Sequence, residues 1–187
     1  IIVPYLQETT PDGLYIQNSI WVDTTVGTEA GDVRVRGATD PVIVTADGTP
    51  VLPTEIKTTS STDYLSSPKP HHKAQLHAYL YALNTDTDHD VTTGLVNYGS
   101  RKTFDLEVFT VPFDPGFWNR VVTWMGTQTA YEQQDELPPA DPERDWECEY
   151  CSFKHRCGEG TTPYSNIGVT GLLPLFDGYG EENLTEY

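Results

Sequence analysis

Asp40, Glu55 and Lys57 are the residues of this chain whose types and spacing carry chemistry. They lie in a stretch from Gly37 to Thr58 that reads as a β-hairpin. Val42, Ile43 and Val44 form a β-branched run, Asp47-Gly48 is a tight-turn dipeptide, and Val51 to Thr58 returns as the second strand. Alternate side chains of a strand share a face, so Glu55 and Lys57 point the same way and Ile56 is expected to enter the core. Asp40 stands where the first strand begins its apolar run. Two carboxylates and a lysine gathered at one sheet edge can hold a hard divalent cation beside an amine that orients or deprotonates water. The plain alternative for the same residues is a solvated hairpin face with a cross-strand ion pair.

The elements that must position these groups follow from periodicity. Leu14 to Val22 alternates as one strand before a Thr/Gly/Glu turn. Val33-Arg34-Val35-Arg36 alternates and leads into the hairpin, so three antiparallel strands are expected here. Arg34 and Arg36 share a solvated face. A helix is expected from Pro70 to Leu83, with proline at its first turn and Ala74, Leu76, Ala78, Leu80, Ala82 and Leu83 as good helix formers. Gln75 and Tyr79, four residues apart, fall on one face of it. Val91–Tyr98 and Phe104–Val111 are two further strands joined by Gly99-Ser100-Arg101-Lys102, a turn whose cations read as a solvated tip. Strand, helix and strand in that order give an α/β arrangement with a crossover. A last helix, Pro115 to Gln134, carries Phe117, Val121, Trp124 and Met125 on its apolar side.

At 187 residues the chain suits one domain with a small appended module. No apolar run reaches membrane-spanning length. Ile1-Ile2-Val3-Pro4 has neither the charge nor the length of a signal peptide, so a cytoplasmic location is expected. The chain lacks an initiator methionine and reads as a fragment or a processed product. The net charge of −17 opposes nucleic acid, whose binding depends on phosphate neutralisation. A halophilic source resolves the conflict, because high salt shortens the screening length to a few ångströms. Three of the five lysines, Lys57, Lys69 and Lys73, stand close after the hairpin together with His71, His72 and His77. This is the expected cationic rim for DNA, with Lys69 and Lys73 as candidate DNA ligands.

All three cysteines, Cys148, Cys151 and Cys157, sit within ten residues at C-x2-C-x5-C spacing. Clustering of this kind argues for a metal rather than a disulfide framework. A zinc site of Cys148, Cys151, His155 and Cys157 is one reading, since Zn2+ accepts such a set, although a single residue separates His155 from Cys157.

Gly37-x-x-Asp40 followed by Glu55-Ile56-Lys57 resembles the active-site core of the PD-(D/E)XK nuclease superfamily. Gln75-Leu76-His77-Ala78-Tyr79 resembles the Gln-x-x-x-Tyr helix of RecB-type exonucleases, and C-x2-C-x5-C resembles their C-terminal iron–sulfur clasp. Taken in order, the motifs resemble the CRISPR-associated RecB-like exonucleases of the fourth Cas family and their close relatives, over Val33 to Cys157. The resemblance implies a restriction-endonuclease-like α/β core, a mixed central sheet flanked by helices, over 1–140. It further implies an iron–sulfur clasp over 141–160, followed by an extended acidic tail over 161–187. It implies hydrolysis of DNA phosphodiesters with Mg2+ or Mn2+ held by Asp40, Glu55 and the Ile56 carbonyl. Lys57 would serve the attacking water, and Gln75 and Tyr79 would support the site. Cys148, Cys151 and Cys157 would hold a 4Fe-4S cluster. The implied partners are DNA and, in the CRISPR context, the integrase; oligomeric state is left open. The family's upstream cysteine and N-terminal metal-binding histidine have no counterpart here, and an absent N-terminal segment accounts for both. A binding or assembly module of the same fold, without turnover, is the competing reading.

Overall fold

The computed structural model describes residues 7–8, 10–86, 90–138 and 149–156, with Asp86 described by its backbone. Its elements are β1 (Leu14–Gln17), β2 (Trp21–Thr28), β3 (Gly31–Ala38), β4 (Val42–Thr45), β5 (Pro50–Thr59), α1 (Pro70–Asp86), β6 (Thr93–Ser100), β7 (Leu106–Pro112) and α2 (Pro115–Gln133). The chain forms two compact units. One draws on the chain up to Thr24 and on Arg34–Trp118, the other on Thr25–Val33 and the chain from Asn119 onward.

A five-stranded mixed sheet, in the order β1-β4-β5-β6-β7, organises the first unit. β5 and β6 are parallel, and every other neighbouring pair in that sheet is antiparallel. Parallel neighbours need a crossover, and α1 supplies it, packing on both strands it connects. β6 reads Thr-Gly-Leu-Val-Asn-Tyr-Gly-Ser and is buried almost throughout, as expected of a central strand covered on both faces. Leu76, Tyr79 and Leu80 of α1 close over Val96 and Tyr98 of β6 and Val111 of β7, with Val91 at the edge of the cluster.

The hairpin is formed as expected. Gly48, at φ +87°, makes the turn that glycine adopts without steric cost; its amide donates to the Thr45 carbonyl (2.9 Å) and the Asp47 carboxylate engages the Thr45 hydroxyl. Hydrogen bonds to the Asp47 carboxyl, from the Thr45 hydroxyl foremost and then from Thr49, hold it down at about 2.

Two expectations are corrected. Leu14 to Val22 is not one strand: it breaks between Gln17 and Trp21 into β1 and the start of β2. β3 does not extend the hairpin sheet but pairs with β2 in a separate two-stranded sheet, and β1 takes the place beside β4. Alternation identifies a strand without naming its neighbour, so both errors come from the same gap. Arg34, on β3, forms a forked pair with Asp23 on β2, through Nε (2.6 Å) and Nη2 (2.5 Å).

Both helices have legible ends. α1 starts at Pro70, with the Lys73 amide donating to the Lys69 carbonyl (2.9 Å). Near its end the Asn84 side chain donates to the Val91 carbonyl (2.9 Å) and accepts from the Val91 amide (2.8 Å), fastening the helix to the lead-in of β6. Asp114 caps α2, its Oδ1 accepting from the Gly116 (2.9 Å) and Phe117 (3.1 Å) amides before Pro115 opens the first turn. On α2 the buried residues include Phe117, Trp118, Val121, Ala130 and Tyr131. Trp124, expected on the apolar side, is exposed, and Trp118 is the buried tryptophan, stacked on Tyr81 at 4.8 Å.

Candidate active site

The turn that carries Asp40 is clamped from both sides. Proline at 41 biases Asp40 toward an extended conformation. The Pro41 carbonyl accepts from both the amide (3.0 Å) and the hydroxyl (2.6 Å) of Thr54. Thr39 exchanges bonds with Ile20, amide to carbonyl at 2.9 Å and, in return, Ile20 amide to the Thr39 hydroxyl at 2.9 Å. So held, Asp40 places Oδ2 at 2.8 Å from the Ile56 amide, which donates to it. Gly37 of the Gly-x-x-Asp pattern is not sterically required, since a Cβ there would meet open space.

Glu55 and Lys57 share a face of β5, as expected, but with opposite exposure. Glu55 is fully buried, while its neighbour Lys57 retains solvent access and makes an ion pair with Glu55 Oε1. Lys57 and the Tyr79 hydroxyl are the groups that reach this buried carboxyl. Burial pushes the Glu55 carboxyl up from its ordinary range. Lys57 pulls against that rise, and the charge of Asp40 adds to it. Ile56, expected in the core, is only half-buried.

From Lys57 the polar chain continues onto α1. Lys57 Nζ donates to Gln75 Oε1 (3.3 Å), and Gln75 Nε2 donates to the Tyr79 hydroxyl (2.6 Å). Burial pushes the Tyr79 phenol up to about 12, so it is a neutral hydroxyl at any working pH. The four-residue spacing of Gln75 and Tyr79 thus produces a bond along one helix face. Asp40, Glu55, Ile56, Lys57, Gln75 and Tyr79 come together. Among the described residues no set of three or more His, Cys, Asp or Glu side chains gathers to hold a metal; the charge of Asp40 acts on the Glu55 carboxyl.

The remaining candidates lie elsewhere or are altered. Lys73 reaches Asp114 (3.8 Å) and lies over the Phe117 ring (4.4 Å to its centroid). Lys69 gives its backbone amide to the Tyr98 hydroxyl (2.9 Å). Two of the three histidines of the expected cationic rim are disfavoured as cations. Burial, with the nearby charges of His71, Lys57 and Lys69, holds His72 down at about 3. Burial also lowers His77, whose Nδ1 meets the Lys73 carbonyl (2.8 Å) while Nε2 accepts from the Asp114 amide (3.1 Å). Cys151 is exposed, with the Phe153 amide 3.4 Å from its sulfur; Cys148 and Cys157 lie outside the described residues.

Sequence reasoning missed the pair behind Lys57. Tyr98 stands opposite Lys57 in the parallel β5–β6 register, and its hydroxyl lies 2.8 Å from His72 Nδ1. The only signal was His72 at the start of a helix that had to cross back over β6.

A sequence profile of the PD-(D/E)XK nuclease superfamily matches residues 3–158. The chain belongs to the PD-(D/E)XK nuclease superfamily. Its members are generally metal-dependent nucleases, typically with Mg2+ or Mn2+. A crystal structure of SSO0001 shares the PD-(D/E)XK chain's fold, with a TM-score of 0.54 and 19% identity over 86% of this chain and 66% of that one. The chain thus spans about two thirds of the length of that protein. No curated protein matches this chain. No helix among the described residues is long and apolar enough to cross a membrane.

Proposed function

We propose that this PD-(D/E)XK chain is a Mg2+- or Mn2+-dependent deoxyribonuclease that degrades DNA from its ends. The observation that carries this reading is Glu55: a fully buried carboxyl ion-paired to the Lys57 amine and close enough to Asp40 to feel its charge. Burying two neighbouring carboxylates against a single amine is costly, and a hard cation is a partner that offsets it. Asp40, Glu55 and the Ile56 carbonyl are the donors that would hold the ion. When bound, the ion supplies Lewis acidity at the phosphoryl oxygen and lowers the pKa of water.

The residues of the chain do the rest. The Ile56 amide fixes the rotamer of Asp40. Gln75 Oε1 accepts from Lys57 Nζ and so holds the amine at the mouth of the site, where it positions or deprotonates the attacking water and offsets charge on the phosphorane. Tyr79 accepts from Gln75 and fixes the orientation of its amide.

The assay uses the full chain on end-labelled linear duplex, single-stranded and closed circular DNA, in molar KCl to match the acidic, halophile-like composition. Divalent-dependent loss of linear but not circular DNA is expected. Lys57→Ala should abolish it while leaving DNA binding largely intact, because the carboxylates remain. A Lys57→Ala protein that digests DNA at the parental rate overturns the mechanism.

Motif order further supports trimming of DNA ends during CRISPR spacer acquisition, beside the integrase. A RecB-type nuclease of recombination or repair uses the same chemistry. A catalytically weak DNA-binding or assembly module of the same fold is the alternative reading. Spacing alone supports the 4Fe-4S clasp at Cys148, Cys151 and Cys157. Brown protein after anaerobic purification supports the cluster; colourless protein with stoichiometric zinc supports the alternative site that includes His155.

A further inference from the structure

The turn between β6 and β7 does not behave as a plain solvated loop. Phe104 is 62% exposed and sits at φ +64°, a left-handed conformation unusual for a bulky residue. The surrounding bonds enforce it. The Phe104 amide donates to the Ser100 carbonyl (3.0 Å), and the Ser100 amide donates to the Asp105 carbonyl (2.9 Å). The Ser100 hydroxyl gathers the amides of Lys102 (3.3 Å) and Thr103 (3.2 Å) and the Thr103 hydroxyl (2.9 Å). A rigid turn therefore holds an aromatic ring out in water at a cost in backbone strain, a combination that marks function more often than packing.

The same turn carries Arg101 and Lys102, both exposed, and neither side chain is in an ion pair among the described residues. Asp105 is the acidic neighbour at the tip, so the tip keeps a net positive charge on a chain of net charge −17. Its position is also fixed. The Arg101 amide donates to the Thr59 carbonyl (2.8 Å), which ties the tip to the C-terminal end of β5, two residues beyond Lys57. Two residues of strand span roughly 7 Å, about one nucleotide of an extended strand.

We infer that the Arg101–Phe104 turn is a docking tip for single-stranded DNA, in which Arg101 and Lys102 contact phosphates and Phe104 stacks on a base next to the one entering the site. Exposed aromatics beside paired cations suit single strands, because every base offers a face to stack on and the cations follow the backbone. The inference rests on the nuclease reading of the Glu55–Lys57 site and names the substrate form presented to it.

Binding of a fluorescein-labelled oligodeoxythymidylate to the full chain, carrying Lys57→Ala to prevent cleavage, tests the tip. Phe104→Ala should weaken binding roughly 5- to 150-fold, the loss expected from one stacked base. Phe104→Gly should do the same while melting at or above the parental temperature, because glycine relieves the left-handed strain. Arg101→Ala with Lys102→Ala should flatten the salt dependence by about 1.4 log units per log unit of salt, at about 0.7 per phosphate contact. Parental affinity in a folded Phe104→Gly protein, or no binding of the oligonucleotide at all, overturns the proposal. DNA cleavage by the chain with Phe104-independent binding overturns the tip and leaves the nuclease reading standing. Phe104-dependent binding without cleavage by the otherwise unaltered chain sinks the nuclease reading and upholds the tip.

Discussion

The Ile56 amide donates to the Asp40 carboxylate at 2.8 Å across sixteen residues of sequence, and this bond aligns the two halves of the site. It fastens the segment leading into β4 to the middle of β5, beside Glu55. The charge of Asp40 is one reason the Glu55 carboxyl titrates high.

That shift fixes a pH dependence. Glu55 has a folded pKa raised above its ordinary 4.5, so the native chain keeps a proton that the unfolded chain releases. Stability is therefore lost as pH rises from about 4.5 through the folded pKa. In chelator, the parent should melt lower as pH climbs through this window, and Glu55→Gln should lack that component. Mg2+ or Mn2+ at neutral pH should raise the melting temperature of the parent and not of Glu55→Gln. Equal metal stabilisation of both proteins would place the ion elsewhere.

In the proposed mechanism Gln75, bonded to Lys57, and Tyr79, bonded to Gln75, would act through the Lys57 amine. Tyr79→Phe removes the acceptor of the 2.6 Å bond from Gln75 and should reduce kcat for DNA digestion about 10- to 100-fold, the usual cost of losing a supporting contact. KM for DNA should hold. A fall in affinity with unchanged kcat would assign the pair to substrate binding.

The histidines predict the opposite acid behaviour to Glu55. His72 is held down at about 3 and His77 is also lowered, so the unfolded chain takes up protons that the native chain refuses. Stability should fall as pH drops from about 6.5 toward 3. His72→Gln should flatten part of this slope, the remainder belonging to His77. Melting curves across that range decide it; an unchanged slope would mean that His72 is charged in the native protein.

Gly94 lies where β6 meets α1. A Cβ there would stand 2.7 Å from Leu76 Cδ1 and 3.0 Å from the Pro53 carbonyl. Leu76 is fully buried and adjacent to Gln75, so it cannot yield without moving the helix. Gly94→Ala should cost about 1–3 kcal/mol by chemical denaturation, the range for overpacking a filled core. It should also reduce activity by shifting Gln75 away from Lys57. Parental stability would show that Leu76 has room to turn.

The sequence by itself determined the local elements and the order of the polar groups along them. Asp47-Gly48 specified a turn, alternation put Glu55 and Lys57 on one face, and four-residue spacing put Gln75 beneath Tyr79. Each rests on a period or a dihedral preference contained within a few residues. The tertiary structure alone decided which strand lies beside β4, which tryptophan of α2 is buried, and that Lys57 faces Gln75 while Tyr98 stands behind it. It also decided the chemistry, since burial is the largest cause that raises Glu55 and lowers His72, with neighbouring charges adding to both shifts. Strand pairing and desolvation are sums over remote segments, and no window of sequence contains the terms of those sums.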